Sequence, residues 1–159
     1  MALVVSLLSV WLTIHVVAAL PRKLPLPVNV LLFMAMLIVN ANRWTVLSHN
    51  LEWLEISMHP PKTMAVVLYR DVTYPLTLIA FANAALEAGR RAAKLAAAAA
   101  AFLYLYGIGQ ALRGLGAIRY NEWNEAYECL LIAAMLAIAY GVGRALRALW
   151  RKERNGYEA

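Results

Sequence analysis

Five stretches of this sequence carry no Asp, Glu, Lys or Arg: residues 2–21, 24–42, 72–86, 95–112 and 129–143. A helix needs about 20 mainly apolar residues, at 1.5 Å each, to cross the hydrocarbon core of a bilayer. The shorter runs reach that length with their apolar flanks. Lipid offers no partner for an open strand edge, so apolar runs of this kind must be helices. Hydrophobic residues make up 63% of the 159-residue chain, against about 45–50% in soluble domains. The expected fold is an all-α polytopic transmembrane helical bundle. It forms one domain with spans at about 2–20, 27–43, 63–86, 92–112 and 126–149.

No Lys or Arg precedes Arg22, so the first run lacks the cationic start of a secretory signal and reads as an uncleaved span. Cys129 is the single cysteine and lies in a span, where a small apolar role is the default. Basic residues fix the expected orientation, because short cytoplasmic loops collect Lys and Arg. Arg22, Lys23, Arg90, Arg91 and Lys94, with Arg144, Arg147, Arg151, Lys152 and Arg154, fall on one side of a five-span layout. Arg43, Lys62, Arg113 and Arg119 fall on the other. Ten against four puts the N-terminus outside and the C-terminus inside. The same distribution accounts for the net charge of +6 without nucleic acid, for which no continuous basic face or soluble motif is present. Arg144, Arg147, Arg151 and Arg154 also share one helical face, which attracts anionic lipid.

Between spans 2 and 3, Trp44, Leu47, Leu51, Leu54 and Met58 repeat at three and four residues. This is the stripe of an amphipathic helix, ended by Pro60-Pro61. Ser48, Glu52, Glu55 and His59 fall beside it. Helix is therefore expected over 44–58, on the outer surface, dipping into the bundle, or continuing span 2 outward.

Arg70 and Asp71 are the charges inside a span. Each costs about 2.5–3.5 kcal/mol near a helix centre, so each needs a partner and a bundle or water to face. Neighbours in sequence point about 100° apart on an α-helix. Arg70 is thus expected to reach Glu52 or Glu55, and Asp71 to meet Arg43 or an amide. Asn40, Asn42 and Asn83 are expected to bond other helices. The candidate site is an outward polar pocket of Arg70, Asp71, Glu52, Glu55, Arg43, Asn40 and His49; a polar clamp between helices is the structural alternative.

Carboxylates and imidazoles at helical spacing make His49, Glu52, Glu55 and His59 metal-ligand candidates, although the spacing matches neither Glu-x-x-His nor His-Glu-x-x-His. Glu122, Glu125 and Glu128 recur every three residues, which suits the positive end of a helix dipole. His15 is a lone histidine mid-span, read as a hydrogen-bonded core residue. No phosphate loop, Cys-x-x-Cys pair or nucleophile elbow occurs, and no cofactor is implied. Small residues recur every four positions at Ala93, Ala97 and Ala101 and at Ala133, Ala137, Gly141 and Ala145. Such rows serve packing within the monomer or a homo-oligomer. Tyr104, Tyr106, Trp123, Tyr127, Trp150 and Tyr157 near span ends fit an interfacial aromatic belt.

The five-span layout, Pro21-Arg22-Lys23, Asn40, and Tyr69-Arg70-Asp71 with Tyr74-Pro75 and Asn83 resemble an uncharacterised family of small membrane proteins from spore-forming Gram-positive bacteria. The resemblance implies a multi-pass protein of a bacterial cytoplasmic membrane and draws attention to Arg70, Asp71 and Pro75.

Three functions compete. One is a non-enzymatic transport, binding or accessory protein with an outward polar pocket. The second is an enzyme acting on a lipid or quinone at the outer interface through His49, Glu52, Glu55 and His59. The third is a structural or assembly protein. Expected partners are membrane lipids and a second copy or another membrane protein.

Overall fold

The computed structural model describes residues 1–20 and 24–156, with side chains through residue 154. Pro21-Arg22-Lys23 and Tyr157 lie outside the described residues. The elements are α1 (Ala2–Ala19), α2 (Leu26–Thr45), β1 (Leu54–Ile56), α3 (Pro60–Leu68), α4 (Tyr74–Glu87), α5 (Arg91–Gly114), β2 (Ile118–Tyr120) and α6 (Glu125–Gly156). A π-helical turn, Val46–Asn50, extends α2, and another, Tyr69–Thr73, joins α3 to α4. Five continuous helices are long and apolar enough to cross a membrane: Ala2–Ala19, Leu26–Asn50, Pro60–Glu87, Arg91–Gly114 and Glu125–Arg154.

The third of these is the hub. Its most apolar stretch is 61% buried, against 22–28% for the other four, and α4 packs against α1, α2, α5 and α6. On α1 the burial pattern is inverted relative to a soluble bundle. The inward face of α1 is Ala2, Ser6, Ser9 and Thr13, whereas Val4, Leu7, Leu8 and Trp11 are exposed. Small and hydroxylated residues let helices approach in lipid, and their hydroxyls bond across the interface. Ser6 Oγ donates to the Ala65 carbonyl at 2.8 Å, Ser9 Oγ pairs with Thr73 Oγ1 at 3.1 Å, and Thr13 Oγ1 meets the Tyr104 hydroxyl at 2.9 Å. His15 is not in the core. It is exposed, with Nδ1 2.8 Å from the Trp11 carbonyl oxygen and its ring 4.1 Å from the Trp11 ring.

Pro75 explains the π-turn of the hub helix. Proline has no N–H, and its ring crowds the carbonyl four residues earlier, here Asp71. An extra residue in the turn relieves this crowding. The Tyr74 N–H then bonds the Tyr69 carbonyl, which leaves the Arg70 carbonyl free for another helix.

The helix expected over 44–58 stops at Asn50. Leu51 N–H closes the π-turn on Val46, Glu52 takes a left-handed φ of 53°, and Trp53 N–H turns back to the Leu47 carbonyl at 3.0 Å. Such back-bonding with a left-handed residue terminates helices. The chain then enters β1, which pairs antiparallel with β2 in the register Leu54↔Tyr120, Glu55↔Arg119 and Ile56↔Ile118. Strand alternation buries Leu54 and exposes Glu55. Leu51 and Met58, assigned by spacing to a helical stripe, are exposed. The two-stranded ribbon ties connections 51–59 and 115–124 together as a cap at one end of the bundle. At the opposite end, Arg147 Nη1 donates to the Leu86 carbonyl and Lys94 Nζ to the Tyr140 hydroxyl.

Candidate functional site

Beneath the cap, a polar cluster joins α2, the hub helix and α6. The buried stripe of α2 is Val28, Leu32, Met36, Asn40 and Trp44, one residue per turn. Asn40 completes the π-turn, because its Nδ2 donates to the freed Arg70 carbonyl at 2.6 Å. Its Oδ1 accepts from Arg43 Nη1 at 3.4 Å. Arg43 Nη2 reaches both Glu128 oxygens, at 3.1 and 3.3 Å, and Trp123 Nε1 donates to Glu128 Oε2 at 3.1 Å. The two charged side chains are 7% and 8% exposed. The Arg43 guanidinium also lies 5.0 Å from the centre of the Tyr74 ring and 5.6 Å from that of Trp44, within cation–π range. Among the described residues, Arg43 Nε, Trp44 Nε1 and Gln110 Nε2 are buried donors with no acceptor.

Arg43 therefore meets Glu128, not Asp71, and Glu128 is more than a helix-dipole acid. One signal in the sequence marks Glu128: it stands four residues before Ile132, which opens the buried face of α6 that continues through Met135, Leu136 and Ala139. The other two acids of that row stay near water, Glu122 exposed and Glu125 bonded to Arg113 at 2.8 Å.

Arg70 pairs with Asp71 itself. Nε and Nη2 donate to the two carboxylate oxygens at 2.6 and 2.8 Å. The expectation that adjacent residues diverge assumed an α-helix. The π-turn changes the angle between them, and the long guanidinium stem folds back. Glu52 and Glu55 are not partners. Glu52 lies exposed at the helix stop, and Glu55 is exposed in the cap with its carboxylate 4.0 Å from Arg119. His49 and His59 are exposed. Among the described residues no group of three His, Cys, Asp or Glu comes together, so the metal set of His49, Glu52, Glu55 and His59 is not assembled.

The Arg70–Asp71 pair sits within the span, each side chain 28% exposed. Its direction follows from its neighbours. Tyr69 reaches α5 through its hydroxyl to the Leu105 carbonyl, Thr73 meets α1 at Ser9, and the Arg70 carbonyl meets α2 at Asn40. Two residues from Tyr69, Asp71 points away from α5. That side lies between α1 and α2, which share no substantial contact. Further along the same side is a cavity of about 270 Å³, lined by Val17, Phe33, Leu76 and Ile79 with Asn29 and Asn83. Asn83 Nδ2 donates to Asn29 Oδ1 at 2.8 Å, and its Oδ1 accepts the Leu24 N–H at 3.2 Å. Asn40 and Asn83 thus bond other helices as expected, whereas Asn42 is exposed.

The cap carries a separate polar cavity of about 560 Å³, lined by Glu55, Lys62, Arg113, Arg119 and Tyr120 among others. Burial and the nearby Glu128 charge push the Tyr120 hydroxyl well above its ordinary pKa, and Arg113 lies over its ring at 4.5 Å. Of the residues expected to form one outward pocket, this cavity takes only Glu55. The others divide between the buried cluster (Asn40, Arg43), the half-exposed pair (Arg70, Asp71) and the surface (His49, Glu52). No protein-family profile matches the chain, and no curated protein or solved structure compared with it does.

Proposed function

We propose that the protein is a non-enzymatic binding, transport or accessory protein of a bacterial cytoplasmic membrane, with its capped end outside. Its ligand engages the Arg70–Asp71 pair through the cleft between α1 and α2. One observation carries this reading: an ion pair more than a quarter exposed inside a membrane-spanning helix. Charged groups at such depth face a bundle interior, a water-filled cavity or a ligand path. Here they stand at the open side of the hub helix. Asp71 already accepts two bonds from Arg70, and neither of them uses Arg70 Nη1. The acids and imidazoles that would serve an interfacial enzyme are dispersed over the cap.

The test compares wild type with the charge-free pair Arg70→Gln/Asp71→Asn, both purified from their native membrane. Small molecules released on denaturation are quantified by mass spectrometry. A compound retained by wild type and lost from the equally helical variant is the expected result. Identical small-molecule content in the two preparations would remove the pair as a binding site.

A further inference from the structure

The end opposite the cap carries a second feature, independent of the Arg70–Asp71 cleft. Between α5 and α6 runs a groove of about 620 Å³, floored by Phe81 and Ala85 of α4 and walled by Ala98, Phe102, Leu136 and Ala137. Alanines on both walls keep it open. On α5 the lining residues run from Lys94 to Phe102, about 12 Å at 1.5 Å per residue. That approaches the roughly 15 Å that one leaflet contributes to a 30 Å hydrocarbon core. The lining is apolar except at its mouth, where Lys94 and the Tyr140 hydroxyl meet at 3.4 Å. Arg91, one turn before Lys94, and Arg144, one turn after Tyr140, are exposed at the same level. Among the described residues this end has eight basic side chains (Arg90, Arg91, Lys94, Arg144, Arg147 and three more in residues 151–154) against the acids Glu87 and Glu153.

We infer that the α5–α6 groove binds an anionic phospholipid of the leaflet on the basic side. One acyl chain lies along the alanine walls, and the phosphate is held at Lys94 with Arg91 and Arg144 beside it. Length, apolar walls and a cationic mouth at the membrane–water boundary together select this occupant. A partner helix would need no cation at that level. A zwitterionic lipid carries the same phosphate but adds a cationic headgroup, which the exposed Arg91 and Arg144 would repel. Each juxtamembrane cation contributes about a five-fold preference for anionic lipid.

The test uses the full chain in detergent with phosphatidylglycerol or phosphatidylcholine of equal chain length. Native mass spectrometry counts retained lipid, and thermal unfolding reports stabilisation. Wild type should retain phosphatidylglycerol at least five-fold over phosphatidylcholine. Lys94→Gln should cut that preference several-fold, and Ala137→Leu, which fills the groove, should reduce retention of both lipids. Lys62→Gln, at the opposite end, should change neither. Circular dichroism establishes that each variant is folded. Equal retention of the two lipids by wild type, an unchanged preference in Lys94→Gln, or unchanged retention in folded Ala137→Leu would each overturn the assignment. So would cysteine cross-linking between copies at position 137, which would make the occupant a second chain.

Discussion

A single nitrogen of Arg43 bridges both carboxylate oxygens of Glu128, 85 residues away, at 3.1 and 3.3 Å. The partner nitrogen turns to Asn40, so one guanidinium holds α2 against α6 while its ring contacts brace the hub helix. Such a pair is costly to desolvate, and its removal is asymmetric: losing one partner strands a buried charge.

Glu128→Gln should therefore destabilise the protein by about 3–5 kcal/mol. The double variant Arg43→Met/Glu128→Leu should recover most of that loss. Chemical unfolding in detergent compares wild type, the single variant and the double variant. A Glu128→Gln variant as stable as wild type would contradict the buried position of this pair.

Asn40→Ala and Asn83→Ala each remove an interhelical amide bond and should cost about 0.6–2 kcal/mol, the range for polar contacts between membrane helices. Asn42→Ala, at an exposed position two residues from Asn40, should be silent. Melting temperatures of the three purified variants decide this. Equal shifts at Asn40 and Asn42 would argue against the assigned face of α2.

Two glycines of α6, two residues apart, should respond differently. A Cβ on Gly143 would meet Leu86 Cδ1 at 3.3 Å and Ala82 Cβ at 3.6 Å, whereas one on Gly141 would meet nothing within 4 Å. Gly143→Val should force α6 from α4 and cost about 1–3 kcal/mol, the usual penalty of overpacking. Gly141→Ala should leave stability unchanged or raise it slightly through helix propensity. Thermal unfolding that ranks them the other way would place the α4–α6 contact elsewhere.

Orientation is open to a direct measurement. With the capped end outside, reporter fusions at Arg91 and after Ala159 should both read cytoplasmic, and a reporter in 121–124 should read external. The basis is the ten-to-four distribution of Lys and Arg. Any reporter on the opposite side inverts the assignment.

What the sequence made legible follows its periodicities. Long apolar runs identify all five helices, because lipid makes both length and composition compulsory. The interhelical roles of Asn40 and Asn83 were readable because amides at membrane depth need partners. The cap was not readable. The spacing of Trp44, Leu47, Leu51 and Leu54 fits a helix, but Glu52 in a left-handed conformation overrides it locally, and pairing with β2 lies 64 residues away along the chain. Residue spacing points to the wrong partners for Arg70 and Arg43 for one reason. Both depend on backbone geometry and helix order that side-chain type does not encode. Pro75 was the visible clue to the first, and Glu128 on the Ile132 face to the second. The hydroxyl stripe of α1 was also present in the sequence, as Ser6, Ser9 and Thr13 at three- and four-residue spacing, and it marks the inward face of that helix.

The π-turn at Tyr69–Thr73 also sets what a change of length at that point would do. A wide turn takes up one residue more than an α-helical turn for nearly the same rotation. Deleting one residue there would leave Ala65 and Thr77 facing much as they do now. It would also press the Pro75 ring against the carbonyl four residues before it. The surplus residue works as slack: it lets the rod take in a proline mid-span and leaves one backbone oxygen as a fastening for Asn40 of its neighbour.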